Sequence, residues 1–315
     1  MLGQYIMARI IMVHSKLFYH VLALFTVMVW AVTFVSSKML LANGLEPSVI
    51  FLLRFVLAYI SLLPFAAKRL WCASVRDELL MLLLGVTGGS AYFLAENTAL
   101  QYTSAGNVCL LVSSTPLLIA FLSIWLGKGE RITRRLVVGS VVAFVGVALV
   151  VVNDWTHVQL KFAGDLLALL AALLWAVYQH MVKHAYYRYS ALFITRKVFG
   201  YGVVSILLWL VFVTPEFDFG ILSRPQVIGN LLFLGVVASC VGYLVWNLVI
   251  GNIGSVASSN YIYLQPLVAA SVSAVVLGEP ITWAMVLGMV LIIAGVYLAE
   301  HSSLHLRTKA VEKDI

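Results

Sequence analysis

The sequence predicts an all-α integral membrane protein in which ten transmembrane helices form two inverted five-helix repeats. Three observations predict it: a composition too apolar for water, ten apolar windows parted by short loops, and an internal repeat near half the chain length. Of 315 residues 63% are hydrophobic, against 20 basic and 13 acidic ones, whereas a soluble protein carries roughly a quarter charged residues. With a mean hydropathy of +1.03, too little polar side chain exists to cover a compact ball, so the surface faces lipid. A spanning helix takes about 20 residues, which leaves room for roughly ten spans and no separate catalytic or binding domain.

The elements follow from apolar runs and their breakers. Residues 1–16 are a cytoplasmic N-terminal segment. The first span, 17–41, is too long for a cleaved leader and stays as a helix. Asn43-Gly44 and Glu46-Pro47 separate it from the second, 47–67. The third, fourth and fifth are 78–100, 104–127 and 135–152, closed by Asn153-Asp154. The second half runs through 162–183 and 190–213, then past Pro215 and Arg224-Pro225 into 227–250. Asn252 and Gly254 precede 256–277, and Gly278-Glu279-Pro280 precedes 282–300. Residues 301–315 are a cytoplasmic tail. The repeats are therefore 17–152 and 162–300.

Positive residues collect on the cytoplasmic side. With the N-terminus inside, 16 of the 20 Lys and Arg residues fall inside and only Lys161 and Arg224 outside, while Lys38 and Arg54 lie within spans. Both termini are then cytoplasmic in a multi-pass protein of the cell membrane. The net charge of +7 is dispersed along the chain, so it marks topology and not nucleic-acid binding. Cys72, Cys109 and Cys240 lack C-x-x-C spacing and imply neither a disulfide nor a metal.

Sliding the chain on itself brings out the repeat. At an offset of 145, Trp30-Ala31-Val32 meets Trp175-Ala176-Val177 and Lys38 meets Lys183. At 150, Gly85-Val86 meets Gly235-Val236, Asn97 meets Asn247 and Pro116-Leu117 meets Pro266-Leu267. At 149, Glu130 meets Glu279, Gly139 meets Gly288 and Gly146 meets Gly295. Matches at Trp, Asn, Pro, Glu and Lys with loop-sized drifts indicate duplication. Five helices is an odd number, so the second half enters the membrane from the opposite side, an architecture of secondary transporters.

These residues resemble the EamA-type drug/metabolite transporters over residues 17 to 300. The resemblance rests on Asn97-Thr98-Ala99-Leu100-Gln101-Tyr102-Thr103-Ser104-Ala105, Pro116, Gly129-Glu130-Arg131-Ile132-Thr133, Pro266 and Gly278-Glu279-Pro280-Ile281-Thr282. It implies two inverted halves whose first, third, fourth, sixth, eighth and ninth helices line a central cavity of alternating access. Glu96 and Gly127-Lys128 depart from the family pattern, and Glu96 leaves the cavity's charge open.

Candidate site residues fall into groups. Pro116 and Pro266 each remove a backbone donor near mid-helix, as a packing kink or as an interrupted-helix site. Beside them, Ser113, Ser114, Thr115, Asn260, Tyr261, Tyr263 and Gln265 are candidate cavity lining. Trp30, Phe34, Tyr92, Trp175, Tyr178, Tyr243 and Trp246 are able to form an aromatic wall or to serve as bundle filling. Asn97 and Asn247 join them as cavity candidates. Lys38, Arg54 and Glu96 share the outer leaflet, either as an ion-paired gate or as groups that snorkel and pair to stay folded. Gly139, Gly146, Gly288 and Gly295 allow close helix approach, within the chain or in a homodimer.

His180 with His184, and His301 with His305, have i, i+4 spacing but no third ligand, so no metal or other cofactor is expected. No G-x-S-x-G, P-loop or paired intramembrane carboxylate supports hydrolysis or ATP-driven pumping. The leading reading is a secondary active transporter exporting small organic metabolites: amino acids, related compounds or amphipathic drugs. A gradient, with a proton or another ion as coupling partner, would drive it. A membrane-embedded enzyme and a non-transporting membrane subunit are the alternatives; the first needs a catalytic cluster and the second predicts no central cavity.

Overall fold

The computed structural model describes residues 2–65, 70–102, 105–125, 133–151, 162–213, 215, 218–268, 271 and 283–311. Lys68, Arg69, Lys128, Arg131, Lys161 and Lys313 lie outside the described residues. So do Thr103-Ser104, Gly129 to Ile132, Asn153-Asp154 and Gly278 to Thr282.

Among the described residues every regular element is helical. In chain order they are α1 (Leu2–Ala42), α2 (Pro47–Leu62), α3 (Val75–Tyr102), α4 (Ala105–Val112), α5 (Thr115–Trp125) and α6 (Arg134–Val151). The second half supplies α7 (Phe162–Tyr186), α8 (Ala191–Phe212), α9 (Pro225–Ile253), α10 (Ser255–Ser259) and α11 (Trp283–Val311). Six described helices are long and apolar enough to cross a membrane: Lys16–Ala42 within α1, α2 extended to Phe65, α3, α7, α8 and α9.

The structure departs from ten uninterrupted spans at two places. The predicted fourth span is split into α4 and α5, of 8 and 11 residues, about 12 and 17 Å long at 1.5 Å per residue. The predicted ninth begins as α10, then tightens into a 3-10 turn at Asn260–Leu264 before resuming at 265–268. At the termini, α1 continues back to Leu2 and α11 forward to Val311. No proline stops either helix there.

Helix ends follow local chemistry. Pro47 and Pro225 occupy first turns, where a missing N–H costs nothing. Ser74 and Ser190 cap α3 and α8 by accepting from the Asp77 and Phe193 amides. Gly254 turns α9 into α10 at φ +91°, a conformation in which a Cβ would clash.

Two of the long helices contain wide, π-type turns: α3 at Val86–Ser90 and α9 at Phe233–Val241. Gly88 and Ala238 within them stand at the same 150-residue offset that aligns Gly85-Val86 with Gly235-Val236. α8 packs on the turn in α3, and α2 packs on the turn in α9.

α6 and α11 form a close seam. A Cβ on Gly139 would lie 2.6 Å from the Gly295 carbonyl oxygen, and one on Gly146 2.7 Å from that of Gly288. At the 149 offset these two contacts are counterparts of each other. The sequence left open whether this glycine face serves a homodimer; α11 covers it within the chain.

At the N-terminal end of α3, carboxylates tie the loop after α2 to α8. Glu78 accepts from Lys197, Tyr201 and, at 2.8 Å, the Cys72 amide. Asp77 takes Arg188 at 3.0 Å and the Tyr189 hydroxyl at 2.9 Å. Burial and the hydrogen bond to Glu78 push the Cys72 thiol up to about 11, so it stays protonated and unreactive at neutral pH.

The seam makes a signed prediction. Gly139→Ala and Gly295→Ala each force the backbones apart and lower stability by about 1–3 kcal/mol. Gly229→Ala, whose Cβ would meet nothing within 4 Å, raises helix stability by about 0.5–1 kcal/mol. Thermal unfolding of the purified variants checks both signs.

Candidate functional site

A cavity lies where the two halves meet, with about 410 Å³ of space when its open mouth is included. α1 contributes Trp30, Thr33 and Phe34, one helical face. α3 contributes Tyr92, Phe93 and Glu96, and α2 contributes Arg54. Val112 ends α4 at the wall. From the second half come Trp175 of α7, Tyr243 of α9, and Ile262 and Gln265 beyond α10. The cavity thus includes a residue of the second span, which the family resemblance did not assign to the lining.

Five of the aromatic candidates, Trp30, Phe34, Tyr92, Trp175 and Tyr243, border the cavity. Trp30 and Trp175 meet edge to face at 5.4 Å, and Tyr92 and Tyr243 flank Trp175 at 5.2 and 5.5 Å. Tyr178 and Trp246 form a second row, fully buried, at 4.9 Å from Trp175 and 5.0 Å from Trp30. Offset and edge contacts of this kind hold rings in fixed orientations.

The remaining candidates stand back from the opening. Asn247 accepts from the Tyr178 hydroxyl at 2.8 Å and donates to Thr195 at 2.9 Å. Its counterpart Asn97 is fully buried, and its side-chain amide has no hydrogen-bond partner among the described residues. Tyr263 is buried against α6 and α11 with Ala143, Ile292 and Val296. Ser114 donates to the Leu111 carbonyl at 2.6 Å. Pro116 and Pro266 are buried without bordering the cavity, although Pro266 follows Gln265, which does.

The prolines act through the backbone. Pro116 cannot donate to the Val112 carbonyl four residues back, and the Thr115 hydroxyl takes that carbonyl at 2.6 Å. The Ser113 hydroxyl adds a bond at 2.7 Å to the Cys109 carbonyl, which also takes the Ser113 amide at 2.9 Å. The break therefore falls at Ser113-Ser114, a turn before the proline. In the other half, Ser258 and Ser259 donate to the Gly254 and Val256 carbonyls, each at 2.8 Å, ahead of Pro266.

The wide turns are served across the two halves. Tyr243 donates to the Gly88 carbonyl at 2.5 Å, and the Trp30 indole donates to the Ala238 carbonyl at 2.9 Å. The same rings that line the cavity thus hold the bends of α3 and α9 in place.

Charge enters through Arg54 and Glu96, each 2% exposed. Arg54 lies over the Phe93 ring at 4.2 Å and donates through Nε to Ser239 at 2.5 Å, while Nη1 has no partner among the described residues. Glu96 accepts from the Tyr92 hydroxyl. Arg54 and Glu96 border the same cavity, and no salt bridge joins them. Lys38 stands apart: it is exposed on α1, and Nζ donates to the Leu100 carbonyl at 3.0 Å. A long flexible stem lets a lysine near a helix end leave the buried pair and reach a carbonyl and the surface.

The His184 Nδ1 lies 3.0 Å from the His180 carbonyl. Among the described residues no three His, Cys, Asp or Glu side chains come together as a metal site. The sequence reading missed Thr33, Phe93, Val112 and Ile262. Thr33 was findable, since it falls one turn from Trp30. The others are ordinary apolar residues whose pattern matches lipid-facing ones.

Trp30→Phe keeps a ring but removes the hydrogen bond to the Ala238 carbonyl, an expected loss of about 0.5–1.5 kcal/mol. Thermal unfolding of this variant beside Phe34→Leu, which removes no hydrogen bond, separates the two effects.

Comparison with known proteins agrees with this architecture. A solved crystal structure superposes with a TM-score of 0.71 at 17% identity, covering 93% of this chain and 99% of that one, which shows the shared fold. An uncharacterized transporter of Archaeoglobus fulgidus is 28% identical over 284 residues, 89% of this chain and 96% of its own. A probable terminal-alkyne amino-acid exporter of Streptantibioticus cattleyicolor is 30% identical, covering 90% and 94%. A probable amino-acid metabolite efflux pump of Escherichia coli K12 is 27% identical, covering 88% and 93%. The model of the EamA-like transporter family matches residues 17–152 and 162–300, and the chain, a multi-pass membrane transport protein and not an enzyme, belongs to that family.

Proposed function

We propose that the chain is a secondary active transporter that exports small organic metabolites across the cell membrane by alternating access. Amino acids and related compounds, or amphipathic drugs, are its candidate cargo. The observation that carries this reading is the cavity itself: aromatic, walled by both halves and bordered by two interrupted helices. Broken helices beside a cavity are where transporters place binding sites. The names of the Streptantibioticus and E. coli relatives support an amino-acid-like cargo.

The ten-segment arrangement of two inverted repeats belongs to this proposal. It is supported by the counterpart wide turns, by Tyr243 and Trp30 each serving the other half's bend, and by the paired glycine contacts of α6 and α11. An inverted pair can exchange conformations between halves, so one state opens inward and its mirror opens outward. The central charges of that cycle are Arg54 and Glu96, with Lys38 at the rim. A proton or another ion coupled to their environment would supply the gradient. Both termini face the cytoplasm, with the loops at 68–76, 128–135 and 184–189 beside them.

Purified protein in liposomes is the test. Efflux of at least one cargo class in a screen of amino acids, nucleosides and amphipathic cations is the expected result, faster with an imposed proton gradient. Pro116→Ala with Pro266→Ala should slow that efflux in a folded protein. No transport of any class by a folded protein favours a non-transporting subunit instead.

Topology is tested separately in a cysteine-free background. Tyr187→Cys should react with an impermeant thiol reagent only after permeabilisation, and Ser223→Cys should react in intact cells. The reverse pattern overturns the orientation.

A further inference from the structure

We infer that Arg54 and Glu96 are specificity-determining residues that make the cavity selective for a zwitterion, with the aromatic wall holding the cargo's apolar side chain. This rests on the transporter reading and names which cargo class the site takes.

The argument starts from an imbalance. An arginine inside a membrane-spanning bundle is costly and is normally paired. Arg54 is held in place by Ser239 and Phe93, neither of which is an anion, and its Nη1 has no partner among the described residues. Its rotamer is fixed while part of its donor capacity remains open. A carboxylate is the group whose geometry matches the arginine fork.

Glu96 is the complementary half. Its carboxylate accepts from Tyr92 and borders the same cavity as Arg54. An ionised carboxylate has about four acceptor positions, so one phenol leaves capacity for an ammonium group. The Gln265 Oε1, also on the cavity wall and also unpartnered among the described residues, offers a further acceptor. Between them the site holds one fixed cation, one fixed anion and one neutral acceptor.

A cargo bearing only a positive charge would gain Glu96 but leave Arg54 uncompensated. One bearing only a negative charge meets the converse problem. A zwitterion satisfies both and keeps the buried site neutral, and selectivity of this kind comes from the penalty on the wrong partner as much as from attraction to the right one. Trp30, Trp175 and Tyr243 then offer ring faces to the apolar remainder of the cargo.

The experiment is counterflow of labelled L-phenylalanine or L-leucine by the full chain in liposomes. Unlabelled phenethylamine, 3-phenylpropionate and L-phenylalanine compete, and tetraphenylphosphonium uptake is measured in parallel. Each single-charge analogue should compete at least ~10-fold more weakly than L-phenylalanine, the consequence of losing one charge-assisted interaction. Arg54→Gln should erase the preference for L-phenylalanine over phenethylamine, and Glu96→Gln should erase that over 3-phenylpropionate. A purely structural role would lower every affinity alike. If a single-charge analogue competes as well as L-phenylalanine, or if tetraphenylphosphonium is carried and neither amino acid is, the inference falls while the transporter reading stands. If a folded protein carries none of these probes but exports another class in the wider screen, the inference alone falls; if it exports no class at all, both fall. Should the variants fail to insert, competition on the unaltered protein decides alone.

Discussion

The structure depends on one constraint: inside a bilayer, a backbone carbonyl released from the helical ladder has no water to turn to. Among the described residues, side chains accompany the two wide turns and the two breaks that lie beside the cavity. Thr115 covers the carbonyl that Pro116 cannot serve. Tyr243 and Trp30 reach across to Gly88 and Ala238. The irregular stretches thereby become tolerable at depth and are drawn to the place where the halves meet. A cavity and its aromatic wall follow from satisfying the backbone, because the rings that border the opening are the ones that brace the bends.

The same economy of partners shapes the charges. Arg54 and Glu96 border one cavity without closing into a salt bridge, and each is positioned by neighbours that do not neutralise it. A fully paired buried ion pair would be a structural element with little left for a ligand. Here the supporting residues set direction and leave capacity. By contrast, Glu78 and Asp77 at the end of α3 are surrounded by Lys197, Arg188, Tyr189 and Tyr201, so that cluster reads as a tie between helices.

Packing divides into rigid and adaptable parts on the same physical ground. Along α6 and α11 the glycines bring backbones so close that no side chain separates them, and in lipid such close contact is the main source of helix association. Around the cavity, large aromatic side chains with rotatable bonds replace that contact.

Much of this was legible in the sequence. Hydropathy located the long helices, because burying a helix in lipid requires an unbroken apolar run that is visible residue by residue. Pro, Gly and Asn-Gly breakers located their ends. The Trp30, Tyr92, Trp175 and Tyr243 group and the Arg54 and Glu96 charges stood out because aromatic repeats and intramembrane charges are rare against an apolar background. The backbone breaks were misplaced by a turn, since their position depends on which hydroxyl reaches a released carbonyl. Phe93, Val112 and Ile262 carried no signal, as an apolar residue facing a cavity and one facing lipid look alike in sequence. Nor did composition separate Lys38 from the buried pair, or place Tyr178, Trp246 and Asn247 behind the lining. Sequence alone determined that the chain is a helical protein of membrane-spanning composition, since hydropathy is a property of the chain. Only the tertiary structure decided which side chains meet across the halves, because those contacts depend on helix rotation and bend, which residues far apart in the chain set together.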